Sequence, residues 1–385
     1  MPEDAKSLQH YEIKALELPR PGATRSSSND QRVVDRPAGA RLHLPVGFRI
    51  SVFDDGSFRG ARWLALAPNG DVFVSDSGSG EIGILRGTGA DGKAQQKFTF
   101  ATGLEQPFGM AFWKNYLYVA QTGEVVRFKY TSGQTKAEGK PEHIADLTPF
   151  GYNQHWTRDI AFNPGGTKMY VTVGSSTNDS PESDARRAAI SEYNPDGSGQ
   201  RIFASGLRNA VGIAFEPATG KLWVTVNERD ELGDNLPPDY LTSVQEGGFY
   251  GWPYAYIGPH PDPFNATKRP ELVQKTITPD VLIQAHSAAL GLAFYNGKMF
   301  PPEYHGDAFV ALHGSWNRAE PTGYKIVRVH MKDGKPAGGY DDFITGWFTG
   351  SEVWGRPVGL LVMQDGSLLI VDDGGKRIWR VTYGK

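Results

Sequence analysis

A short unit recurs six times along the chain, and this recurrence constrains the fold more than any other property of the sequence. Each copy is an apolar run, a turn rich in Gly, Asn or Pro, and a second run of aromatic and β-branched residues. The copies cover 63–76, 108–120, 155–174, 211–226, 290–312 and 358–372. Short apolar runs separated by such turns read as β-hairpins. Aligning Leu64, Gly109, Asp159, Gly212, Gly291 and Gly359 gives spacings of 45, 50, 53, 79 and 68 residues. The shorter spacings suit a four-stranded propeller blade of roughly 40–50 residues. The longer two require insertions after the fourth and fifth hairpins. Further strands follow several hairpins, at 82–85, 125–128, 326–329 and 378–381. The sequence therefore predicts an all-β fold, a six-bladed β-propeller with four-stranded antiparallel blades. One domain spans 41–385, preceded by an irregular polar arm over 1–40. Residues 377–383 would form the third strand of the last blade and 48–53 its fourth, which removes the edges an open ring leaves exposed. The alternative arrangement of six hairpins is two packed sandwiches.

The composition excludes several functions. There is no cysteine, so disulfides, thiolate metal sites and cysteine nucleophiles are absent. The net charge of −3 gives no reason to expect nucleic acid or an anionic membrane as a partner. No apolar run reaches the roughly 18 residues of a membrane span. The N-terminal residues lack the basic and apolar regions of a signal peptide, which leaves a cytoplasmic protein or one whose leader has been replaced by a start methionine.

In a propeller the residues just before each inner strand converge at one mouth of the central channel. Here they are Arg62, Gln106, His155, Arg158, Arg208, Asn209, His286 and Arg356. Four arginines and two histidines predict a cationic funnel suited to an anionic ligand with several carboxylates, which arginine pairs bidentately. His155 is the candidate catalytic base. Arg158 is adjacent to Asp159, so an ion pair competes with a ligand contact. The segment 227–234, Asn-Glu-Arg-Asp-Glu-Leu-Gly-Asp, is dense in the oxygen ligands that hard cations take; such a run is also a common solvated loop. The segment 313–318, His-Gly-Ser-Trp-Asn-Arg, would cover a flat ligand or fill the mouth.

The segments 205–209 (Ser-Gly-Leu-Arg-Asn), 227–230, 247–253 (Gly-Gly-Phe-Tyr-Gly-Trp-Pro) and 313–318 resemble those of the quinoprotein glucose/sorbosone dehydrogenases. The resemblance covers roughly residues 40–385 and is nearer to the sorbosone dehydrogenase-like branch than to bacterial soluble glucose dehydrogenase. It implies a six-bladed propeller that uses pyrroloquinoline quinone (PQQ) and calcium and is periplasmic or secreted. By position, His155 corresponds to the general base. Arg208 and Asn209 match a quinone-holding pair, with Arg208 also placed at the catalytic centre, and Arg356 matches an arginine facing the quinone carboxylates. Arg229, Arg318, Arg158 and His286 complete the implied cofactor set. Main-chain carbonyls of Glu228 and Arg229 would hold calcium. The sequence departs from the family pattern at several points. Glu228-Arg229 stands where glucose dehydrogenase has Gly-Pro. Gln154 replaces an Asp before the base, and Ser175 or Ser176 replaces the acid that orients it. A quinone-binding Lys has no match, and Arg318 takes its place.

The implied reaction is oxidation of an aldose sugar or sugar aldehyde: His155 takes the hydroxyl proton, hydride passes to the quinone, and electrons leave to an external acceptor. Histidine suits this role because its unperturbed pKa lies near working pH. Neither a Cys-x-x-Cys-His haem site nor a strand–Gly-x-Gly-x-x-Gly–helix unit is present. Two readings from other classes stand beside it: a calcium-dependent lactonase-type hydrolase, which needs acids and amides around the channel, and a non-catalytic propeller that binds a partner protein. Trp156, Trp252, Tyr254 and Trp316 are the aromatic candidates for the substrate pocket.

Overall fold

A computed structural model describes residues 8–147 and 155–384. Six antiparallel sheets of four principal strands form a six-bladed β-propeller. The first two inner strands are Ala61–Leu66 and Met110–Trp113. They are followed by Ile160–Phe162 and Asn209–Phe215, then Ala289–Phe294 and Pro357–Val362. Each belongs to one of the six repeated hairpins. The ring closes as expected: Phe48–Asp55 pairs antiparallel with Arg377–Tyr383, Phe48 opposite Tyr383 and Asp55 opposite Arg377.

The arm before residue 41 is less irregular than its composition suggests. His10–Tyr11 adds a fifth strand to blade 5, pairing with Tyr340 and Asp341. Ala15–Glu17 forms a turn of 3-10 helix. Blade 3 also gains a short parallel strand, Gly248–Phe249, from the insertion in blade 4. Sequence reasoning missed these additions because two residues carry no readable period.

The core is partitioned in the way a propeller demands. A sheet buries each face against a neighbouring sheet, and six apolar clusters fill the six spaces between adjacent blades. A seventh cluster lies on the axis. It takes one residue from the start of each inner strand: Trp63, Phe108, Trp156, Val211, Leu290 and Val358. Trp63 and Phe108 lie 4.6 Å apart, and Trp156 meets Phe108 edge-on at 5.7 Å. This apolar plug closes the channel, so the ring has a floored cavity at its mouth in place of an open pore.

The glycines of the repeat follow from the same crowding. A Cβ built on Gly212 would stand 2.3 Å from the Leu290 carbonyl oxygen, and one on Gly291 would stand 2.1 Å from that of Val358. Both neighbours are backbone of the next blade and cannot rotate away. Side chains stitch the same seams: Thr225 Oγ1 donates to Leu290 O at 2.6 Å, and Asp159 Oδ2 accepts from Ile213 N at 2.9 Å. Gly291→Ala should therefore cost about 2 kcal/mol or more, by the logic of an overpacked core. Equilibrium urea unfolding of the variant checks this.

Candidate active site

Above the plug, the loops entering blades 3, 4 and 5 enclose a cavity of about 780 Å³. That volume lies within the range of small-molecule and cofactor sites. Among the residues picked out from sequence, His155, Arg208, Asn209, Glu228 and His286 line it, as do Arg62, Trp156 and Trp316.

His155 sits at the entry to blade 3, with φ of 51°. Its Nδ1 lies 3.0 Å from both the carbonyl oxygen and Oγ of Ser175. The Ser175 hydroxyl donates to Thr177 O at 2.6 Å, so its oxygen is free to accept. Both partners therefore take the proton on Nδ1, which leaves Nε2 as the lone-pair nitrogen. Nε2 has no partner among the described residues. Burial pushes the His155 pKa well below 6.5, and the Arg208 charge pushes the same way. The ring is therefore neutral at pH 7, as a proton acceptor must be. Serine takes the place of an acidic partner, as expected at Ser175; Gln154 lies outside the described residues.

Arg208 ties the site together. It donates from Nε to Asn178 O at 3.0 Å, from Nη1 to Glu228 O at 2.7 Å, and from Nη2 to Asn178 Oδ1 at 2.9 Å. Nη2 also reaches Asp230 Oδ2 at 3.2 Å. Asp230 in turn accepts from Asn317 Nδ2. His286 belongs to this network and is not a second base: Nδ1 accepts from Asn317 Nδ2 at 3.0 Å, while Nε2 donates to Gly233 O at 3.0 Å.

Three buried oxygens in this wall have no partner among the described residues: Asn209 Oδ1, Asn227 Oδ1 and Glu228 Oε1. Asn209 and Asn227 are direct cross-strand neighbours, which puts their side chains on one face. Glu228 Oε2 accepts from Arg229 N at 3.1 Å. Burial raises the Glu228 carboxyl to about 7 and that of neighbouring Asp239 to about 7. Both Asp239 oxygens accept backbone N–H groups, from Glu228 at 2.9 Å and Ala288 at 2.8 Å. A buried acceptor without a donor costs about 1–3 kcal/mol. Asn209, Asn227 and Glu228 all line the cavity, and amide and carboxylate oxygens are the donors a hard cation takes.

The arginines of the expected funnel and cation loop are largely engaged by the protein itself. The Glu228 carbonyl accepts from Arg208 Nη1 at 2.7 Å, and the side-chain oxygens Asn209 Oδ1, Asn227 Oδ1 and Glu228 Oε1 lie in the same wall as further donors. Arg229 is turned away and almost fully buried, its guanidinium 2.6 Å from Asp262 and 3.2 Å from Asp179. Arg158 is buried and donates to the carbonyls of Thr122, His155 and Thr157 at 3.1, 2.6 and 2.7 Å. Arg318 reaches Ala285 O at 3.4 Å. Arg356 lies over the Tyr324 ring and contacts the carbonyls of His313 and Gly314 at 3.4 Å. None of these four arginines lines the cavity. Arg62 and Arg208 do, and four acidic residues, Glu228, Asp230, Glu231 and Asp239, line it with them. The rim is thus of mixed sign, because most of its arginines are consumed holding loop backbone. Trp252 and Tyr254 also lie outside the lining; Trp252 Nε1 donates to Asn178 O at 2.9 Å.

Sequence reading missed Asn178, Asp239 and Asp373. On the wall that carries Arg62, Asp373 pairs with the Arg62 guanidinium and lies 2.9 Å from His313 Nε2. Asp373 directly follows the sixth hairpin, and its position after a strand was the available signal.

The class of protein is therefore a six-bladed propeller with a buried histidine, an arginine hub and a cavity lined by carboxylates and amides at one mouth. The family model described as Glucose / Sorbosone dehydrogenase matches residues 111–335. An uncharacterized protein of Borreliella burgdorferi is 31% identical over 355 residues, covering 89% of this chain and 91% of that protein. The PQQ-dependent pyranose dehydrogenase of Coprinopsis cinerea is 26% identical over 257 residues, which are 55% of this chain and 34% of that enzyme. The structure of the holo PQQ domain of the Coprinopsis cinerea pyranose dehydrogenase superposes with a TM-score of 0.75 at 19% identity. That match covers 90% of this chain and 98% of that domain. The chain belongs to the glucose/sorbosone dehydrogenase family.

Because the folded pKa of His155 lies below its unfolded value, the unfolded state binds more protons as pH falls below about 6.5. Its contribution to stability is present above that pH and is lost as pH falls toward the folded value. Histidine ring NMR should find His155 still neutral at pH 6. The acid loss of stability measured by urea unfolding should be smaller in His155→Gln.

Proposed function

We propose that this protein is a PQQ- and calcium-dependent dehydrogenase that oxidises an aldose sugar or a sugar aldehyde of the sorbosone kind. The observation that carries the reading is His155: a neutral histidine, its Nδ1 proton held by Ser175, with Nε2 unpartnered in a floored cavity beside three unsatisfied oxygens. Family membership, and the PQQ dependence in the printed name of the Coprinopsis relative, support the cofactor. When bound, the quinone supplies the two-electron acceptor and calcium the Lewis acid that polarises it.

The residues of this chain divide the remaining work. Asn209 Oδ1, Asn227 Oδ1 and Glu228 Oε1 hold the cation. A divalent cation there offsets two of the four carboxylate charges that line the cavity and Arg62 and Arg208 offset the other two, so the wall no longer repels a tricarboxylate. Trp156 and Trp316 offer flat apolar faces, and Trp316, about half exposed, stands at the entrance. His155 accepts the substrate hydroxyl proton on Nε2, and Ser175 steadies the imidazolium through Nδ1. The apolar plug below keeps water from entering through the channel. Electrons then pass to an external acceptor, and the family resemblance supports a reaction in the periplasm or outside the cell.

One observation favours a second reading. The acid and amide residues of this wall (Asn178, Asn209, Asn227, Glu228 and Asp239) are also what a calcium-dependent lactonase-type hydrolase requires. That reading predicts hydrolysis of sugar lactones with calcium alone.

Titration of the apoprotein with PQQ and calcium, followed by dye reduction with a panel of aldoses and sorbosone, separates the two. Saturable, calcium-dependent dye reduction is expected, with kcat falling at least about 100-fold in His155→Ala. Absence of quinone binding, or lactone hydrolysis without quinone, would overturn the assignment. Calcium alone should raise the thermal midpoint by mass action, and Glu228→Gln with Asn209→Ala should abolish that rise in differential scanning fluorimetry.

A further inference from the structure

The cavity has a roof that neither the repeat nor the proposed chemistry accounts for. Residues 20–34 leave the blade 4 side of the ring, cross the mouth and reach the connection between blades 5 and 6. Ser26, Ser27 and Ser28 line the same cavity as His155 and Arg208. The crossing is fastened at three places. On the blade 4 insertion, Gly22 N donates to Leu232 O at 2.9 Å, Gly233 N to Ser26 Oγ at 3.0 Å, and Asp234 N to Thr24 Oγ1 at 2.9 Å. On the blade 5 insertion, Asn29 N donates to Trp316 O at 2.7 Å and Asn29 Nδ2 to Ala319 O at 2.8 Å. Beyond the mouth, Val34 N donates to Val353 O at 2.8 Å.

Asp234 locks the first two places together. Its Oδ1 accepts from Ser27 N at 3.0 Å. Its Oδ2 accepts from Ser27 Oγ at 3.3 Å and from Ala319 N at 2.9 Å. One carboxylate thus joins the strap, the blade 4 insertion and the blade 5 insertion. Between Arg20 and Arg32 the strap is polar apart from Pro21 and Ala23. Hydrogen bonds fasten it, each worth only about 0.5–1.5 kcal/mol net, and it carries little of the apolar burial that holds the blades. A segment of that kind opens at far lower cost than the ring.

We propose that residues 20–34, pinned by Asp234, form a selectivity strap: it limits the mouth to a single sugar ring, and Ser26–Ser28 present hydroxyl and backbone groups to that ring. The inference rests on the sugar-dehydrogenase reading for its ligand and on the strap geometry for its size limit. A hydroxyl-lined wall matches a polyhydroxylated substrate, and a roof fixed on both sides leaves no groove along which a longer chain could lie.

The test uses Asp234→Ala, which removes three accepted hydrogen bonds, and Ser27→Pro, which removes the donor amide from the strap side. Amide hydrogen exchange over residues 24–29 should quicken at least ten-fold in both variants, with the inner strands unchanged. In enzyme loaded with PQQ and calcium, the ratio of kcat/KM for glucose to that for maltotriose should fall at least ten-fold. A faster-exchanging strap with the ratio held within two-fold would overturn the proposal.

Because the chain has no cysteine, a cofactor-free measurement is also available. Ala288→Cys places one thiol on the cavity wall. Asp234→Ala added to it should speed labelling by a bulky maleimide at least ten-fold and by methyl methanethiosulfonate less than two-fold. Equal acceleration of both reagents, or of neither, would contradict a size-limiting roof. If dye reduction fails with every sugar while the labelling result holds, the sugar-dehydrogenase reading falls and the size filter stands.

Discussion

The structure depends on how closely six inner strands can approach one axis. At that radius there is little room for side chains between successive blades, so glycine occupies four of the six contacts (Gly109, Gly212, Gly291 and Gly359) and backbone meets backbone there. The residue at the start of each inner strand points inward, and together the six make the apolar plug of Trp63, Phe108, Trp156, Val211, Leu290 and Val358. Both consequences serve the site. Tight seams fix the relative positions of blades 3, 4 and 5, whose entry loops carry His155, Arg208 and His286. The plug gives those loops an apolar floor, to which Trp156, Val211 and Leu290 of the cavity lining belong.

Within that cavity, burial shapes the chemistry. It keeps His155 neutral and lifts Glu228 and Asp239 to about 7. Arg208 spends its donors on the protein, joining Asn178, Glu228 and Asp230, and so sets the wall on which three oxygens are left unsatisfied. In the proposed function such a site takes a cation: His155 offers its lone pair as base, and a positive partner satisfies the neighbouring oxygens. The strap over the mouth is of a different character. It is polar and held by hydrogen bonds, whereas the ring it spans is held by apolar burial.

Much of this was legible in the sequence. Six hairpins, four of them with a glycine at the aligned place, announce a propeller, because the period is long enough to count and the turn chemistry is explicit. The closing pair, Phe48–Asp55 with Arg377–Tyr383, followed from the same count. His155, Arg208, Asn209 and His286, from the entry loops, line one cavity, together with Glu228, which the family resemblance pointed to. The arginines misled because a sequence shows charge but not what the charge is spent on. Arg158 and Arg356 serve backbone carbonyls and Arg229 serves Asp262, needs created by loops whose paths leave no periodic trace. The role of the arm was likewise hidden: a run of serines reads as solvated until the insertions it bridges are seen to converge on it.

The most direct test of the central claim is a crystal structure of the protein soaked with PQQ and calcium, with anomalous scattering used to place the ion. The account predicts calcium within ligand distance, about 2.3–2.6 Å, of side-chain oxygens of Asn209, Asn227 and Glu228. It also predicts the quinone between that ion and the mouth, with His155 Nε2 facing the space left for substrate. Calcium bound elsewhere, or a cavity that stays free of quinone at saturating concentration, would contradict it.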